Sequence, residues 1–287
     1  MMVRNEQHVI ASCIGHMLQT LGVSRVYVVD NGSVDRTPDI LRRIAAGTGR
    51  VVAEADDGPF RQHGILTALA RRAAAEGAAW VLPSDADEFL WLRPGLSLAA
   101  LCRRDGVGGY RVPVRNFLQA RPVRRDWPGA VATMCVSAIP QGDVQGAQAE
   151  VSAGRLPFVR MAYPTKLLLR ATPGLQLTFG HHDAHGADGP LVDLHGGEVL
   201  HAPIRSFQDL HTRVEAGLRV ADVTPEPGQN WHLKRVAAMD GAAVAEEWRR
   251  NSFPLLRPVE RGATRLDFRL SRIGLRQASF QRRYGSG

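Results

Sequence analysis

The first ninety residues alternate between two hydrophobic periods, one typical of helices and one typical of buried strands. From Val9 to Leu21 apolar residues recur at helical spacing, and Gly22 follows as a natural C-terminal cap. The next apolar run, Val26 to Val29, is short, β-branched and aromatic. It predicts a buried strand that ends at Asp30.

The alternation continues up to the acidic run at residue 85. Further predicted elements are a helix over residues 38–46, a strand over 50–53, a helix over 62–76 and a strand over 80–82. Such alternation predicts a parallel sheet with helices on its faces, and ligands bind beyond the carboxyl ends of its strands. Asp30 and Asp85 each follow a predicted strand, so we expect both side chains at one crevice.

The rest of the chain is less regular. Strands are predicted over residues 110–117, 165–171 and 175–179, and short helices over 232–238 and 242–250. Ser206 and Asp209 form a variant of the capping box, which predicts a helix to about residue 218. Residues 121–156 allow no firm assignment, and the arginine-rich segment after Arg261 is predicted to be disordered.

Composition narrows the class of protein. The chain has 287 residues, of which 44% are hydrophobic and 22% charged, as expected for a globular protein with a substantial core. No apolar run approaches the ~20 residues of a membrane span, and no secretory signal is recognisable, so we expect a soluble, cytoplasmic protein. Three widely spaced cysteines form no disulfide or zinc pattern, which indicates reduced, structural thiols.

The net charge of +8 comes almost entirely from arginine, because Lys166 and Lys234 are the only lysines. Arginine suits anionic partners, but a compositional bias of the source genome explains most of these arginines more simply. No interleaving of aromatic and basic residues supports nucleic-acid binding, so we expect no nucleic-acid partner. The basic C-terminal tail is a candidate for peripheral contact with the inner membrane.

The acidic run Asp85-Ala86-Asp87-Glu88-Phe89 is the strongest candidate for chemistry. Three carboxylates within four positions repel one another, and a hard divalent cation, Mg²⁺ or Mn²⁺, would remove that cost. Such an ion can bridge a diphosphate and stabilise its charge as it leaves. A solvated acidic turn is the alternative, but the position directly after a predicted buried strand favours a metal site.

A second polar turn follows the strand that ends at Asp30. A carboxylate there can accept hydrogen bonds from ribose hydroxyls or from a base N–H, and Gly32 permits close approach of the backbone. Asp35 either contributes to this site or provides a favourable negative charge at the start of the next helix.

Taken together, these motifs resemble the glycosyltransferase family 2-like group. The residues that carry the resemblance are Val3-Arg4-Asn5-Glu6, Leu21-Gly22-Val23, Val28-Val29-Asp30-Asn31-Gly32-Ser33 with Asp35 and Thr37, residues 80–90, and His201-Ala202-Pro203-Ile204-Arg205-Ser206-Phe207. The resemblance implies a GT-A fold, which is an α/β class with a mixed, mostly parallel sheet flanked by helices. It also implies a nucleotide-sugar donor, first of all a UDP-sugar, and inversion at the anomeric carbon.

The resemblance further implies roles for individual residues. Mn²⁺ or Mg²⁺ would be held by Asp85, Asp87 and His201, with Asp87 as the direct ligand. The nucleotide sugar would contact Arg4, Asn5, Glu6, Asp30, Asn31, Ser33, Asp35, Gln62 and Asp85. Only Met1-Met2-Val3 precedes the Arg-Asn-Glu motif, where the group has a full strand, so we expect either a true start further upstream or a truncated first strand.

An inverting transfer needs a carboxylate within hydrogen-bond reach of the acceptor hydroxyl. Asp183 is the candidate for this general base because of its position downstream of the acidic run, with Glu150 and Asp188 as alternatives. His182 is a further candidate metal ligand, although a lone histidine is more often simply hydrogen-bonded.

The sequence thus predicts a metal-dependent glycosyltransferase that moves a sugar from a nucleotide-diphosphate sugar to an acceptor hydroxyl. Residues 1–218 would form the transferase domain, with a nucleotide-binding half over 1–95 and an acceptor half over 96–218. Residues 219–287 would form a helical, arginine-rich extension. The acceptor stays open between a glycan, a lipid-linked glycan and a protein. The alternative function is a non-catalytic nucleotide-sugar or glycan-binding protein derived from a transferase.

Overall fold

The structure is a computed structural model that describes residues 1–121, 130–223, 231–256 and 259–285. Contacts divide the chain into two compact units. The first consists of Met1–Val114, Pro164–Leu200 and Ser279–Gly287, and the second of Arg115–Tyr163 and His201–Ala278. The functional division that the sequence suggests at residue 218 is a different partition and stays a prediction.

Short strands and helices alternate along the described residues. The strands are β1 (Met2–Val3), β2 (Val26–Asp30), β3 (Val51–Ala55), β4 (Trp80–Val81), β5 (Glu88–Leu92), β6 (Gly109–Val112), β7 (Val114–Arg121), β8 (Val136–Ala138), β9 (Lys166–Arg170), β10 (Gln176–Leu177), β11 (Ala184–His185), β12 (Leu191–Asp193), β13 (Gly197–His201), β14 (Ser252–Pro254) and β15 (Thr264–Leu266). The helices are α1 (Ile10–Gly15), α2 (Thr37–Thr48), α3 (Gln62–Ala75), α4 (Leu98–Cys102), α5 (Val144–Ser152), α6 (Phe207–Val223), α7 (Trp231–Ala237), α8 (Gly241–Arg250), α9 (Arg269–Arg276) and α10 (Ala278–Gly285).

The predicted alternation of helices and strands in the first ninety residues is confirmed, but the predicted parallel sheet is wrong for β4, which pairs antiparallel with β9 in another sheet. Strands β1, β2 and β3 form a parallel sheet in that order, with Met2 opposite Val29 and Val26 opposite Val51. Helix α1 continues as a wider helical turn over His16–Thr20. Helix α2 ends at Gly49, whose φ of 64° is the left-handed conformation that glycine adopts without a steric penalty. These elements bring the ends of β1 and β2 side by side.

A second sheet of the first unit has the order β12-β6-β9-β4. Strand β9 lies inside it and runs antiparallel to both β6 and β4, whereas β6 and β12 are parallel. Three consecutive leucines of β9 are fully buried, as expected for a strand covered on both faces. The predicted α/β class, a mixed sheet arrangement flanked by helices, is confirmed. Because β9 is an inner strand, its first residue, Lys166, is buried.

The second unit combines a small sheet with helices. Strand β7 pairs in parallel with β14 and antiparallel with β8, which in turn pairs antiparallel with β15. The core beside α5, α6, α7 and α8 contains Val151, Phe158, Leu210, Val236 and Val244. Part of the stretch that allowed no firm assignment therefore forms α5 and β8, and residues 122–129 of it lie outside the described residues.

The prediction of disorder after Arg261 is wrong for the described part of that segment. Helix α9 buries Leu270 and Ile273, which are one turn apart, and leaves Arg272 and Arg276 exposed. The arginine content suggested a solvated chain, whereas Arg272 and Arg276 lie on the exposed face of a helix whose other face is packed. Contact of this basic surface with a membrane stays a prediction. No helix among the described residues has both the length and the apolarity to cross a bilayer.

The packing of α9 can be tested at Gly274. A Cβ atom there would lie 2.6 Å from the backbone nitrogen of Ala132, so we expect Gly274→Ala to lower the free energy of unfolding by about 1–3 kcal/mol. Gly64→Ala is the control, because Gly64 lies in α3 with nothing within 4 Å, and it should raise that free energy by about 0.5–1 kcal/mol. Urea unfolding followed by circular dichroism measures both. Equal stability of the two variants would contradict the close packing of α9.

Candidate functional site

The turn after β2 is fixed by its own polar side chains. Asp30 is buried, and its Oδ1 accepts a hydrogen bond of 2.9 Å from the Ser33 N–H. The side-chain amide of Asn31 donates to the carbonyl oxygens of Asp56 (2.8 Å) and Gly58 (3.0 Å). Asn31 therefore holds two loops together, and the second oxygen of Asp30 is not needed for this turn.

The Arg-Asn-Glu motif after β1 is bonded to the same turn. Arg4 donates from Nη1 to the Asn31 carbonyl oxygen (2.6 Å), and the Asn5 N–H donates to Ser33 Oγ (2.8 Å). Asn5 has a φ of 55°, in the left-handed region that asparagine tolerates better than most residues. Its Oδ1 accepts from the Val34 N–H at 2.9 Å. The two turns at the ends of β1 and β2 thus support each other.

Two further predicted residues serve the start of α2. Asp35 accepts from the Thr37 N–H through Oδ1 (2.8 Å) and from the Gln7 N–H through Oδ2 (3.1 Å). The Glu6 N–H donates to Thr37 Oγ1 at 2.8 Å. Both carboxylate oxygens of Asp35 thus accept from backbone donors beside α2, and its contact with a nucleotide sugar stays a prediction.

The acidic run follows β4 and continues into β5, whose first residue is Glu88. Asp85 accepts from the Gln62 side chain through Oδ1 (2.9 Å), and its own N–H donates to Glu88 Oε2 (3.2 Å). Asp87 and Glu88 are buried, whereas the Asp85 side chain is 30% exposed. Gln62, the first residue of α3, therefore does reach the acidic run, and Asp85 is the carboxylate of this run that solvent can reach.

Lys166 enters this cluster, and sequence reasoning did not foresee it. Its Nζ lies 2.8 Å from Glu88 Oε1, 3.2 Å from Asp85 Oδ2, 2.9 Å from His181 Nε2 and 3.2 Å from the Gly180 carbonyl oxygen. The side chains of Lys166, Glu88 and His181 are only 4%, 3% and 0% exposed. The one signal in the sequence was a rare lysine directly before the apolar run Leu167-Leu168-Leu169.

The two carboxylates of this cluster keep Lys166 protonated. Burial is the largest influence on the pKa of Lys166 and opposes its charged form, but Glu88 and Asp85 together outweigh it and raise the pKa. An ammonium group can only donate hydrogen bonds, so Nε2 of His181 accepts from Lys166. Gly180 and His181 both have left-handed φ angles, 68° and 48°, which turn both acceptors toward Lys166.

A divalent cation does not fit among these side chains while Lys166 is present. Within the described part of the chain, Asp85, Glu88 and His181 are the one group of three possible ligands whose atoms lie within 4.8 Å of one another. Of the predicted ligands it contains Asp85 and neither Asp87 nor His201. Mg²⁺ requires oxygens at about 2.0–2.1 Å, and the Lys166 ammonium already takes the position between the three side chains.

Each of the remaining predicted residues has partners of its own. Asp183 is exposed ahead of β11, and its Oδ1 accepts from the Ala184 N–H at 2.9 Å. His201 belongs to the second unit, where its Nδ1 is 2.8 Å from Asn116 Oδ1. The rival bases are an exposed Asp188 and Glu150, which forms an ion pair of 2.7 Å with Arg155. The roles of Asp183 and His201 stay predictions.

Comparison with known proteins finds a family model that matches the start of the chain. Residues 1–94 match the model of Glycosyl transferase family 2, which confirms the resemblance over that part of the chain. No curated protein sequence matches significantly. Three solved structures of S. aureus TarS share 11% identity over 83% of this chain. TarS 1-349 (TM-score 0.39) is covered over 68% of its length, TarS (0.39) over 41%, and TarS 1-349 in complex with UDP (0.37) over 68%.

His182 provides a test of the buried environment beside the cluster. Burial first, and the Lys166 charge second, lower its pKa to about 3 from 6.5, while Nδ1 donates to the Thr165 carbonyl oxygen at 3.0 Å. Between pH 3 and pH 6.5, the His182 imidazole is therefore protonated in the unfolded chain and neutral in the folded chain. The free energy of unfolding should therefore fall as the pH drops below 6.5, by up to about 1.4 kcal/mol per pH unit.

Urea unfolding at several pH values between 7 and 4 measures this slope. His182→Asn, whose amide can still donate to Thr165, should flatten the slope, whereas His185→Asn at an exposed position should leave it as in the wild type. A slope that is the same in His182→Asn and the wild type would show that His182 is not the group responsible.

Proposed function

We propose that this protein is a glycosyltransferase that moves a sugar from a nucleotide-diphosphate sugar to an acceptor hydroxyl, with inversion at the anomeric carbon. The observation that carries the proposal is the family match over residues 1–94, which contains the Arg-Asn-Glu motif, the Asp30 turn and the acidic run. The fold supports it, because Asp30 follows a strand of a parallel sheet, where ligands of α/β proteins bind.

The proposal divides the donor contacts into two kinds. Asp30 and Asp85 would accept hydrogen bonds from the nucleoside, since an ionised carboxylate has about four acceptor positions and their known partners use only some of them. Asn5, Glu6, Asn31, Ser33 and Asp35 would mainly shape the pocket, because the bonds described above tie them to the turns.

A divalent ion belongs to the proposal only together with the donor. Mg²⁺ and similar ions are commonly bound by one or two carboxylates plus substrate phosphates. Asp87 would supply such a carboxylate, with His201 as the further predicted ligand, and the bound ion would stabilise the leaving diphosphate. The first unit supports the leaving group with its own positive charge as well, since the Arg4 guanidinium lies next to Gly32 in the turn after β2.

Binding of UDP tests the donor site. UDP should raise the apparent stability of the protein by mass action, and Asp30→Ala should weaken UDP binding about tenfold or more, because it removes an acceptor that is charged. Mn²⁺ should increase the affinity of the wild type for UDP. It should leave the UDP affinity of Asp87→Ala unchanged. Calorimetry measures the affinities.

Asp39→Ala is the matched control for UDP binding, because Asp39 is an exposed carboxylate on α2 whose partner is Arg42. It should bind UDP as the wild type does. If the wild type binds no UDP even with Mn²⁺ present, the proposed donor is wrong.

Asp183 is the proposed general base. Asp183→Asn should reduce turnover by about 10²–10⁴ while UDP binding stays close to that of the wild type, since the amide cannot take the acceptor proton but its Oδ1 can still accept from Ala184. Release of UDP from a UDP-sugar in the presence of candidate acceptors measures turnover. Asp188→Asn is the control at an exposed carboxylate nearby. Normal turnover of Asp183→Asn would exclude Asp183 as the base.

The second candidate is a non-catalytic binding protein derived from a transferase. It predicts UDP binding without any release of UDP from a UDP-sugar, whatever acceptor is offered. The same turnover assay therefore separates the two functions.

A further inference from the structure

Asp85, Glu88 and His181 have the composition of a metal site, but a lysine occupies its centre. We propose that the Lys166 ammonium is the resident cation of the acidic run: it takes the position that a divalent ion would need, keeps that position free of metal, and orients Asp85. The inference rests on the proposed function only in treating Asp85 as a contact of the donor.

The coordination of Lys166 is complete. An ammonium group has three N–H donors, and four acceptors lie within 3.2 Å of Nζ: one oxygen each from Asp85, Glu88 and Gly180, and Nε2 of His181. These acceptors come from two separate segments of the chain, the acidic run and the turn before β11. A flexible surface lysine would not be surrounded in this way.

The backbone keeps Lys166 in this place. Lys166 is the first residue of β9, where it pairs with Val112 of β6, and the following three leucines are buried. Withdrawal of the ammonium would leave Glu88, with a side chain 3% exposed, without its closest counter-charge. Removal of one partner of a buried ion pair leaves an uncompensated charge, which is strongly unfavourable. The lysine is therefore a fixed part of the site and not a movable cover.

The position of Lys166 has a consequence for Asp85. Oδ2 of Asp85 faces Lys166 and Oδ1 accepts from Gln62, so both oxygens are held while the side chain stays 30% exposed. This makes Lys166 a positioning residue: it sets the direction in which Asp85 can accept a hydrogen bond from the donor, and it does so without a metal ion.

Titration with Mn²⁺ in the absence of nucleotide, followed by the electron paramagnetic resonance signal of free Mn²⁺, tests the proposal. Lys166→Ala should bind about one Mn²⁺ per chain more than the wild type, because three ligand groups then surround an empty position. The double variant Lys166→Ala/Glu88→Gln should lose that additional ion. Lys234→Ala, which removes the other lysine, is the control and should bind Mn²⁺ as the wild type does.

A second arm keeps the test valid if Lys166→Ala does not fold in metal-free buffer. Glu88→Gln in the presence of Lys166 should bind the same amount of Mn²⁺ as the wild type. If Glu88→Gln binds less Mn²⁺ than the wild type, the proposal is overturned. The cluster would then hold metal in the wild type with the lysine in place. Failure of a folded Lys166→Ala to gain an ion would also overturn it.

A third arm separates the positioning role from stability alone. Lys166→Ala should bind UDP more weakly than the wild type in metal-free buffer, and Mn²⁺ should tighten its UDP binding by a larger factor than that of the wild type, because one cation replaces the other. An equal gain from Mn²⁺ in the variant and in the wild type would contradict the positioning role. If the wild type itself binds no UDP, the proposed function fails, while the Mn²⁺ count still decides the inference on Lys166.

Discussion

A buried ammonium group between two carboxylates is the interaction on which the site of the first unit depends. Asp85 and Glu88 stand three residues apart, and Glu88 is almost completely removed from solvent. Without a counter-charge, their mutual repulsion and the cost of desolvation would act against the turn between β4 and β5. Lys166 supplies that counter-charge from β9, and His181 and Gly180 complete its hydrogen bonds. The acidic run can therefore adopt one buried conformation before any ligand arrives.

The neighbouring turns after β1 and β2 are held by hydrogen bonds to the backbone and not by a buried ion pair. Their polar side chains bond mainly to backbone groups: Asp30 to the Ser33 N–H, Asn31 to two carbonyl oxygens, and Ser33 to the Asn5 N–H. Loops need such partners, because a backbone donor or acceptor left unpaired in a partly buried turn is costly. The motif that resembles a nucleotide pocket is thus largely a network that holds two loop backbones at one sheet edge.

Local hydrophobic patterns predicted much of the fold correctly. The prediction that was based on composition alone, disorder after Arg261, was wrong. The periods of Val9 to Leu21 and Val26 to Val29 predicted α1 and β2, because burial of one helix face or one strand leaves a visible spacing. The segment after Arg261 was predicted to be disordered from its arginines. In the structure Leu270 and Ile273 pack inward while the exposed arginines stay in solvent. A charge count cannot separate a solvated face of a packed helix from a solvated chain.

The sequence by itself determined the alternation of helices and strands over the first ninety residues, with Asp30 at the end of one strand and Asp85 after another. The tertiary structure alone decided which charges meet. Lys166 is 81 positions from Asp85 and 15 from His181, and no period or motif spacing connects the three. The physical reason is that helical and strand patterns report burial along one segment, whereas the protonation and pairing of a buried charge depend on distances between segments. The same acidic run that suggests a metal site in the sequence is, in the folded unit, already occupied by a cation of the protein.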